Sequence, residues 1–271
     1  MKYKLIILDL DGTLTNEKKE ITAHTLSTLL KAQELGVRIV LASGRPTYGV
    51  VPIAKKLKLD QYGGYILSYN GGEIINWQTG ELLYKNLLEP EMLPYLYQCA
   101  KDNDFTIMTY DGEYVVTENP DDIYVRKASL VNVMPIKEVE NFLDAVSTHP
   151  ISKCLIMGEA EKLALLEKEM SKALNGRMGV FRSEPYFLEL VPKGTDKALS
   201  SAFLLNSLQI DKKEMIAIGD GFNDVSLIQY AGLGVAMANA QEIVRNNANY
   251  ITFSNEEDGV AHVIEKFVFT E

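Results

Sequence analysis

Two aspartates stand two residues apart in Leu8-Asp9-Leu10-Asp11-Gly12-Thr13-Leu14, directly after the unbroken apolar run Leu5-Ile6-Ile7-Leu8. In extended backbone, residues two apart point the same way, so a strand ending here presents both carboxylates together. Two such charges repel unless a cation or a proton relieves them. A second acidic group, Gly219-Asp220-Gly221-Phe222-Asn223-Asp224, follows another apolar run, Met215-Ile216-Ala217-Ile218. Ser43-Gly44-Arg45-Pro46 closes a third apolar run, and Pro192-Lys193-Gly194-Thr195-Asp196-Lys197 leads into a helical segment. Carboxylates gathered in this way suit a hard cation such as Mg²⁺, which takes a few protein oxygens together with water and phosphate. Ser43, Lys197 and Asn223 are donors fit for phosphate oxygens. A nucleophilic aspartate that forms an aspartyl-phosphate is the chemistry that uses such a set.

These groups need elements that bring them together. Apolar runs without polar alternation read as strands buried on both faces, as in parallel sheets. Residues 21–35 show helical apolar spacing and stop at Gly36, residues 37–42 form the next buried strand, and Pro46 is suited to the first position of the following helix. A strand over 65–69 ends in Asn70-Gly71-Gly72, and Trp77-Gln78-Thr79-Gly80 marks a hairpin. This alternation predicts a parallel sheet with right-handed crossovers, whose ligands gather at the carboxyl edge of the strands. From about residue 84 to 187 the texture is that of an α+β module. It has helices over 91–103, 120–128, 137–147 and 159–174, strands near 131–134, 153–157 and 178–181, and a hairpin at Asp111-Gly112. The parallel domain is expected to resume with the strand 187–191, giving a core of 1–83 and 188–271 around an insertion of 84–187.

The four motifs, in this order and with this insertion, resemble those of the haloacid dehalogenase superfamily, and specifically its Cof-type (type IIB) phosphatases. The resemblance implies a Rossmann-like α/β core, an inserted α+β cap that selects substrate, and an Mg²⁺-dependent phosphatase acting on small phosphorylated metabolites, sugar phosphates foremost. By position, Asp9 would be the nucleophile and Asp11 the general acid and base. Mg²⁺ would be held by the Asp9 carboxylate, the Asp11 carbonyl and the Asp220 carboxylate. Ser43 and Lys197 would bind phosphoryl oxygens, with Asn223 and the backbone N–H groups of Leu10, Gly12 and Gly44 as further contacts. Asp224 would orient Lys197 or a metal-bound water. A phosphotransferase or phosphomutase on the same core, and a non-catalytic binding protein of this fold, are the competing functions.

Individual residues carry competing roles as well. Ser43 also suits a helix cap, Lys193 stands beside Lys197 as the alternative cation, Asp224 also fits a cap, and Arg45 fits either substrate or an acidic partner. In the insertion, Arg126, Arg182, Ser183, Glu184 and Tyr124 are candidates for the leaving group. The formal net charge of −10 over 271 residues, with no basic cluster, argues against nucleic-acid or anionic-membrane surfaces. No apolar stretch approaches a membrane span or a secretory signal. Cys99 and Cys154 lie far apart in apolar settings and read as reduced thiols. A cytoplasmic protein, monomeric or weakly self-associating, is expected.

Overall fold

The computed structural model describes residues 2–147 and 149–270. Two compact units are present: Met1–Tyr84 with Asp196–Glu271, and Lys85–Thr195.

Strands β1 (Leu5–Leu8), β2 (Arg38–Ala42), β3 (Tyr65–Ser68), β4 (Glu73–Asn76) and β5 (Leu82–Lys85) come from the first segment. The insertion contributes β6 (Thr106–Asp111), β7 (Tyr114–Thr117), β8 (Ile136–Glu138), β9 (Cys154–Met157), β10 (Met178–Glu184) and β11 (Phe187–Pro192). The last segment adds β12 (Met215–Gly219), β13 (Leu233–Ala236) and β14 (Tyr250–Ile251). The larger sheet runs β14-β13-β12-β1-β2-β3-β4-β5, with parallel pairing from β14 through β3 and an antiparallel step to β4. β1 therefore sits between β12 and β2, and all four of its residues are buried. This explains its Leu-Ile-Ile-Leu composition: Ile6 and Leu8 pack in one apolar cluster, Leu5 and Ile7 in another.

The helices are α1 (Ala23–Glu34), α2 (Thr47–Lys56), α3 (Leu59–Tyr62), α4 (Leu93–Asp102), α5 (Ile123–Asn132), α6 (Phe142–Val146), α7 (Ala160–Leu174), α8 (Lys197–Leu208), α9 (Val225–Tyr230), α10 (Glu242–Asn247) and α11 (Gly259–Phe267). Among the described residues none is long and apolar enough to cross a membrane. Pro46 lies one position outside α2, as its N-cap with extended ψ 156°, and Thr47 opens the helix. α1 is capped by Thr22, whose hydroxyl accepts from the Thr25 N–H and donates to Asp258. This contact ties the segment after the first acidic motif to the carboxyl-terminal helix.

The inserted unit holds a six-stranded sheet in the order β10-β11-β9-β6-β7-β8. Its Ile107, Cys154, Ile156, Leu188 and Leu190 pack with residues of α4, α6 and α7. Three expectations change here. Residues 187–191 do not resume the parallel sheet. β11 pairs antiparallel with both β10 and β9, so this strand belongs to the insertion, and the larger unit resumes only at Asp196. The Val131–Met134 stretch is not a strand either: α5, capped by Asp122, runs to Asn132 because Val125, Ala128 and Asn132 share its buried face, and Val133 ends it in the left-handed region at φ 54°. The helix expected over 137–147 shortens to α6, since residues 136–138 pair with β7. Both cysteines are free thiols.

Candidate active site

Three strands of the larger sheet end in the motifs picked out above. β1 leads to Asp9, β2 to Ser43 and β12 to Asp220, all at the carboxyl edge, because β12, β1 and β2 are parallel neighbours. Asp9 remains tied to the sheet through its N–H, which donates to the Ile218 carbonyl at 3.0 Å.

The fourth piece arrives on a helix. Asp196 caps α8 by accepting from the Ala198 and Leu199 N–H groups, so Lys197 is its first residue. A cation at this end of a helix is unfavourable against the helix dipole. It is held because its ammonium donates to Asp9 Oδ1 and to Asp224 Oδ1, each at 2.6 Å. The Lys197 and Asp224 side chains are fully buried. Asp224 Oδ2 in turn accepts from the N–H groups of Asp220 and Gly221, at 3.1 and 3.0 Å. Asp224 thus fixes both the lysine and the loop that carries Asp220. Lys193, the alternative cation, is exposed on the inserted unit, while Lys197 is the lysine at Asp9.

Asp220 is held from the other side by the Thr13 hydroxyl, 2.8 Å from its Oδ1. Gly12 passes so close that a Cβ there would lie 2.3 Å from Asp220 Oδ2, and its φ of +84° is a conformation glycine takes readily. Carboxylate oxygens of Asp9, Asp220 and Asp224 lie within 4.8 Å of one another. Three acids against one ammonium leave an excess of buried negative charge. Burial, reinforced by Asp224, pushes Asp9 above its usual range despite Lys197, and burial pushes Asp220 up to about 6. An all-oxygen donor set, two of its carboxylates buried and Asp220 half-buried, with excess negative charge fits a hard divalent cation.

Asp11 has a different environment. Its carboxylate takes a two-pronged bond from Arg45, Nε to Oδ2 at 2.7 Å and Nη2 to Oδ1 at 2.6 Å, and Lys19 Nζ adds a third at 2.7 Å. Burial raises its pKa, but the bonds and charges of Arg45 and Lys19 outweigh that and hold it below the usual carboxylate value. Arg45 therefore pairs with an acid, the second of its two anticipated roles. Ser43 is buried, and its Oγ accepts from the Arg45 N–H at 3.1 Å. This is the local turn that serine favours, and it leaves the hydroxyl hydrogen free to donate elsewhere. Leu10 is buried, and its carbonyl accepts from the Thr15 N–H and hydroxyl, both at 2.9 Å. Asn223 is exposed, and its Nδ2 donates to Asn70 Oδ1 at 2.9 Å.

Asn70, Thr13 and Lys19 were not picked out from the sequence. Asn70 could have been, since it follows a buried parallel strand as Asp9, Ser43 and Asp220 do. Thr13 lies inside the first motif, and Lys19 had no distinguishing signal.

The candidates on the inserted unit are mostly committed to neighbours. Arg182 Nε donates to Glu167 on α7 at 2.7 Å, Ser183 donates to Glu189 at 2.8 Å, and Arg126 pairs with Asp121. Tyr124 stacks on Tyr186 with ring centroids 4.9 Å apart, and Glu184 is exposed at the end of β10.

With this geometry in view, residues 6–264 match the family model for haloacid dehalogenase-like hydrolases. The chain belongs to that family. It is 33% identical to YxeH of Bacillus subtilis, covering 99% of this chain and all of that one. It is 30% identical to a second B. subtilis protein, the 5-amino-6-(5-phospho-D-ribitylamino)uracil phosphatase YcsE, over 98% of this chain and 96% of that one. The crystal structure of a haloacid dehalogenase-like hydrolase from Bacteroides thetaiotaomicron is similar at 57% identity and a TM-score of 0.94, covering 97% of this chain and 99% of that one.

Removing the central ammonium gives a signed prediction. The folded-state pKa values of Asp9 and Asp220 lie above their unfolded values, so ionisation weakens the fold. That stability is present below the unfolded value, 3.8, and is lost as pH rises, through about 6 for Asp220. Lys197→Met deepens the loss by leaving Asp9 and Asp224 without their cation. Urea unfolding is expected to show a deficit of about 3–5 kcal/mol at pH 8, as for other broken buried pairs, and a smaller one at pH 5. A deficit that does not change with pH would contradict this account of the cluster.

Proposed function

We propose that the protein is an Mg²⁺-dependent phosphatase of small phosphorylated metabolites, with sugar phosphates as the substrate class, working through an aspartyl-phosphate on Asp9. The observation that carries this reading is the buried Lys197 ammonium shared by Asp9 and Asp224 beside Asp220. It combines an oriented nucleophile with a fixed positive charge and an anionic cluster for a cation. The likeness to a phosphatase of a phosphorylated ribityl compound supports the substrate class.

In the proposed mechanism an Asp9 carboxylate oxygen attacks phosphorus, and the bond from phosphorus to the leaving oxygen breaks. Asp11, once it has let go of Arg45 and Lys19, which hold it ionised here, and has taken up a proton, gives that proton to the leaving oxygen. The resulting carboxylate then takes a proton from water, whose oxygen attacks the phosphorus of the aspartyl-phosphate, releasing inorganic phosphate and freeing Asp9. Lys197 and the Ser43 hydroxyl stabilise the charge on the phosphoryl oxygens, with Asn223 and the N–H groups of Leu10, Gly12 and Gly44 around them. Asp224 orients Lys197. The Asp9 and Asp220 carboxylates and the Asp11 carbonyl would hold Mg²⁺, which when bound neutralises the repulsion between nucleophile and phosphate. The inserted unit selects the leaving group.

Asp9→Asn should lower phosphate release from any monoester by at least about 1,000-fold, with thermal unfolding unchanged or improved. Undiminished turnover would rule out the mechanism. Asp11→Asn should cost far more with an alkyl phosphate, whose leaving oxygen needs a proton, than with p-nitrophenyl phosphate, whose leaving group does not. Equal losses would remove Asp11 from the proton-transfer role.

Mg²⁺ should raise the unfolding temperature at pH 8 and much less at pH 5. Its carboxylate ligands must be ionised, and Asp220 takes up a proton at about 6. A shift that is equal at both pH values would argue against Asp220 as a ligand.

A further inference from the structure

The turn after β3 is strained. Tyr69, Asn70 and Gly71 have φ values of 53°, 57° and 90°, three successive left-handed residues of which only one is glycine. Left-handed backbone at residues other than glycine persists only where the surroundings over-determine it, and such strain gathers at functional sites. Here the surroundings are the motif loops themselves. The Asn70 N–H donates to the Ser43 carbonyl and the Tyr69 N–H to the Arg45 carbonyl, both at 2.9 Å. The Gly71 carbonyl accepts from Ser200 Oγ at 2.5 Å, one turn along the helix that Lys197 opens. The turn thus fastens the second motif to the third.

The Asn70 side chain extends the connection to the fourth. It is only 6% exposed, and its Oδ1 accepts from Asn223 Nδ2 at 2.9 Å. It also fills the space beside Gly44, where a Cβ would lie 3.2 Å from Asn70 Oδ1 and 3.3 Å from Nδ2. Asn223 is otherwise an exposed residue on a short turn, free to choose among rotamers. Aiming its amide requires a fixed acceptor, and the strained turn supplies one.

We infer that Asn70 is a positioning residue for the phosphoryl site: it orients the Asn223 amide so that it binds the phosphoryl oxyanion without reorganising. Its left-handed backbone is the means by which a residue outside the four motifs reaches Asn223. The inference rests on the phosphatase reading and adds to it a residue acting through Asn223.

The test is competitive inhibition by orthovanadate, an anion of phosphoryl shape, measured on the full-length protein with Mg²⁺. The variants are Asn70→Gly, Asn223→Ala and the two combined. Glycine tolerates the left-handed backbone and removes only the side chain. Asn70→Ala is measured beside it, and whichever variant folds decides the result. Loss of one oriented hydrogen bond to a charged ligand should raise the inhibition constant and KM for substrate roughly 10- to 100-fold. In the Asn223→Ala background, the Asn70 change should add less than about threefold. An unchanged inhibition constant, or effects that multiply independently, would overturn the role through Asn223 and leave the phosphatase reading intact. A wild-type protein with no phosphatase activity would instead overturn the reading beneath it.

Discussion

A lysine ammonium with no exposure to water is the constraint around which this molecule is arranged. Burying that charge alone would cost several kcal/mol, and burying two carboxylates beside it would cost more. The ammonium is tolerable only with carboxylates at hydrogen-bond distance, and this sets demanding tolerances on the elements that carry them. β1 must deliver Asp9, the turn after β12 must deliver Asp224, and the cap of α8 must start that helix at Lys197. The parallel pairing of β1 with β12 satisfies the first two, since equivalent ends of adjacent parallel strands lie side by side. Asp196, which accepts from two N–H groups at the start of α8 and from the Ser226 hydroxyl beside the fourth motif, satisfies the third.

The same geometry divides two aspartates that look equivalent on paper. Asp9 is driven inward against a lysine and other acids, so its charge is in tension with its surroundings. Asp11 is turned toward Arg45 and Lys19, which stabilise its charge. Environment, not residue type, separates the two carboxylates: burial among other acids raises Asp9, while Arg45 and Lys19 lower Asp11. Ser43 shows a milder version: one hydroxyl serves the local turn as acceptor while its hydrogen stays available.

Much of this was legible in the chain. Buried parallel strands are recognisable because they lack polar alternation, and the acids that follow β1 and β12 stand out because nothing about a strand end requires them. The choice of Lys197 over Lys193 came from the likeness to the family's motifs and not from the local residues alone, because it depends on where the helix cap falls and on which unit each residue joins. Phe187–Val191 was misassigned for a related reason. Four apolar residues around Glu189 identify a strand but not its sheet, and the partners β9 and β10 lie in the preceding thirty-odd residues. Val131 and Val133 suggested extended backbone from their β-branched side chains, whereas the capped helix buries Val125 and Ala128 on a common face and overrides that preference. Asn70 escaped notice because an Asn-Gly pair ordinarily signals a hairpin, and its role emerges only from contacts with Ser43 and Asn223, 27 and 153 positions away.

The placement of β1 between β2 and β12 has a consequence for how the protein is made. The strand leaves the ribosome some two hundred residues ahead of Met215–Gly219, for which one of its two pairing edges waits. Until some two hundred residues have followed, a wholly apolar strand with open N–H and carbonyl groups must be kept from other chains. The acidic pair at its exit then has neither of the groups that later accommodate it from the far segment. The charge of Asp9, whose partner Lys197 has yet to be made, discourages edge-to-edge association during that interval, so the acid at the strand's exit doubles as a gatekeeper of the nascent chain.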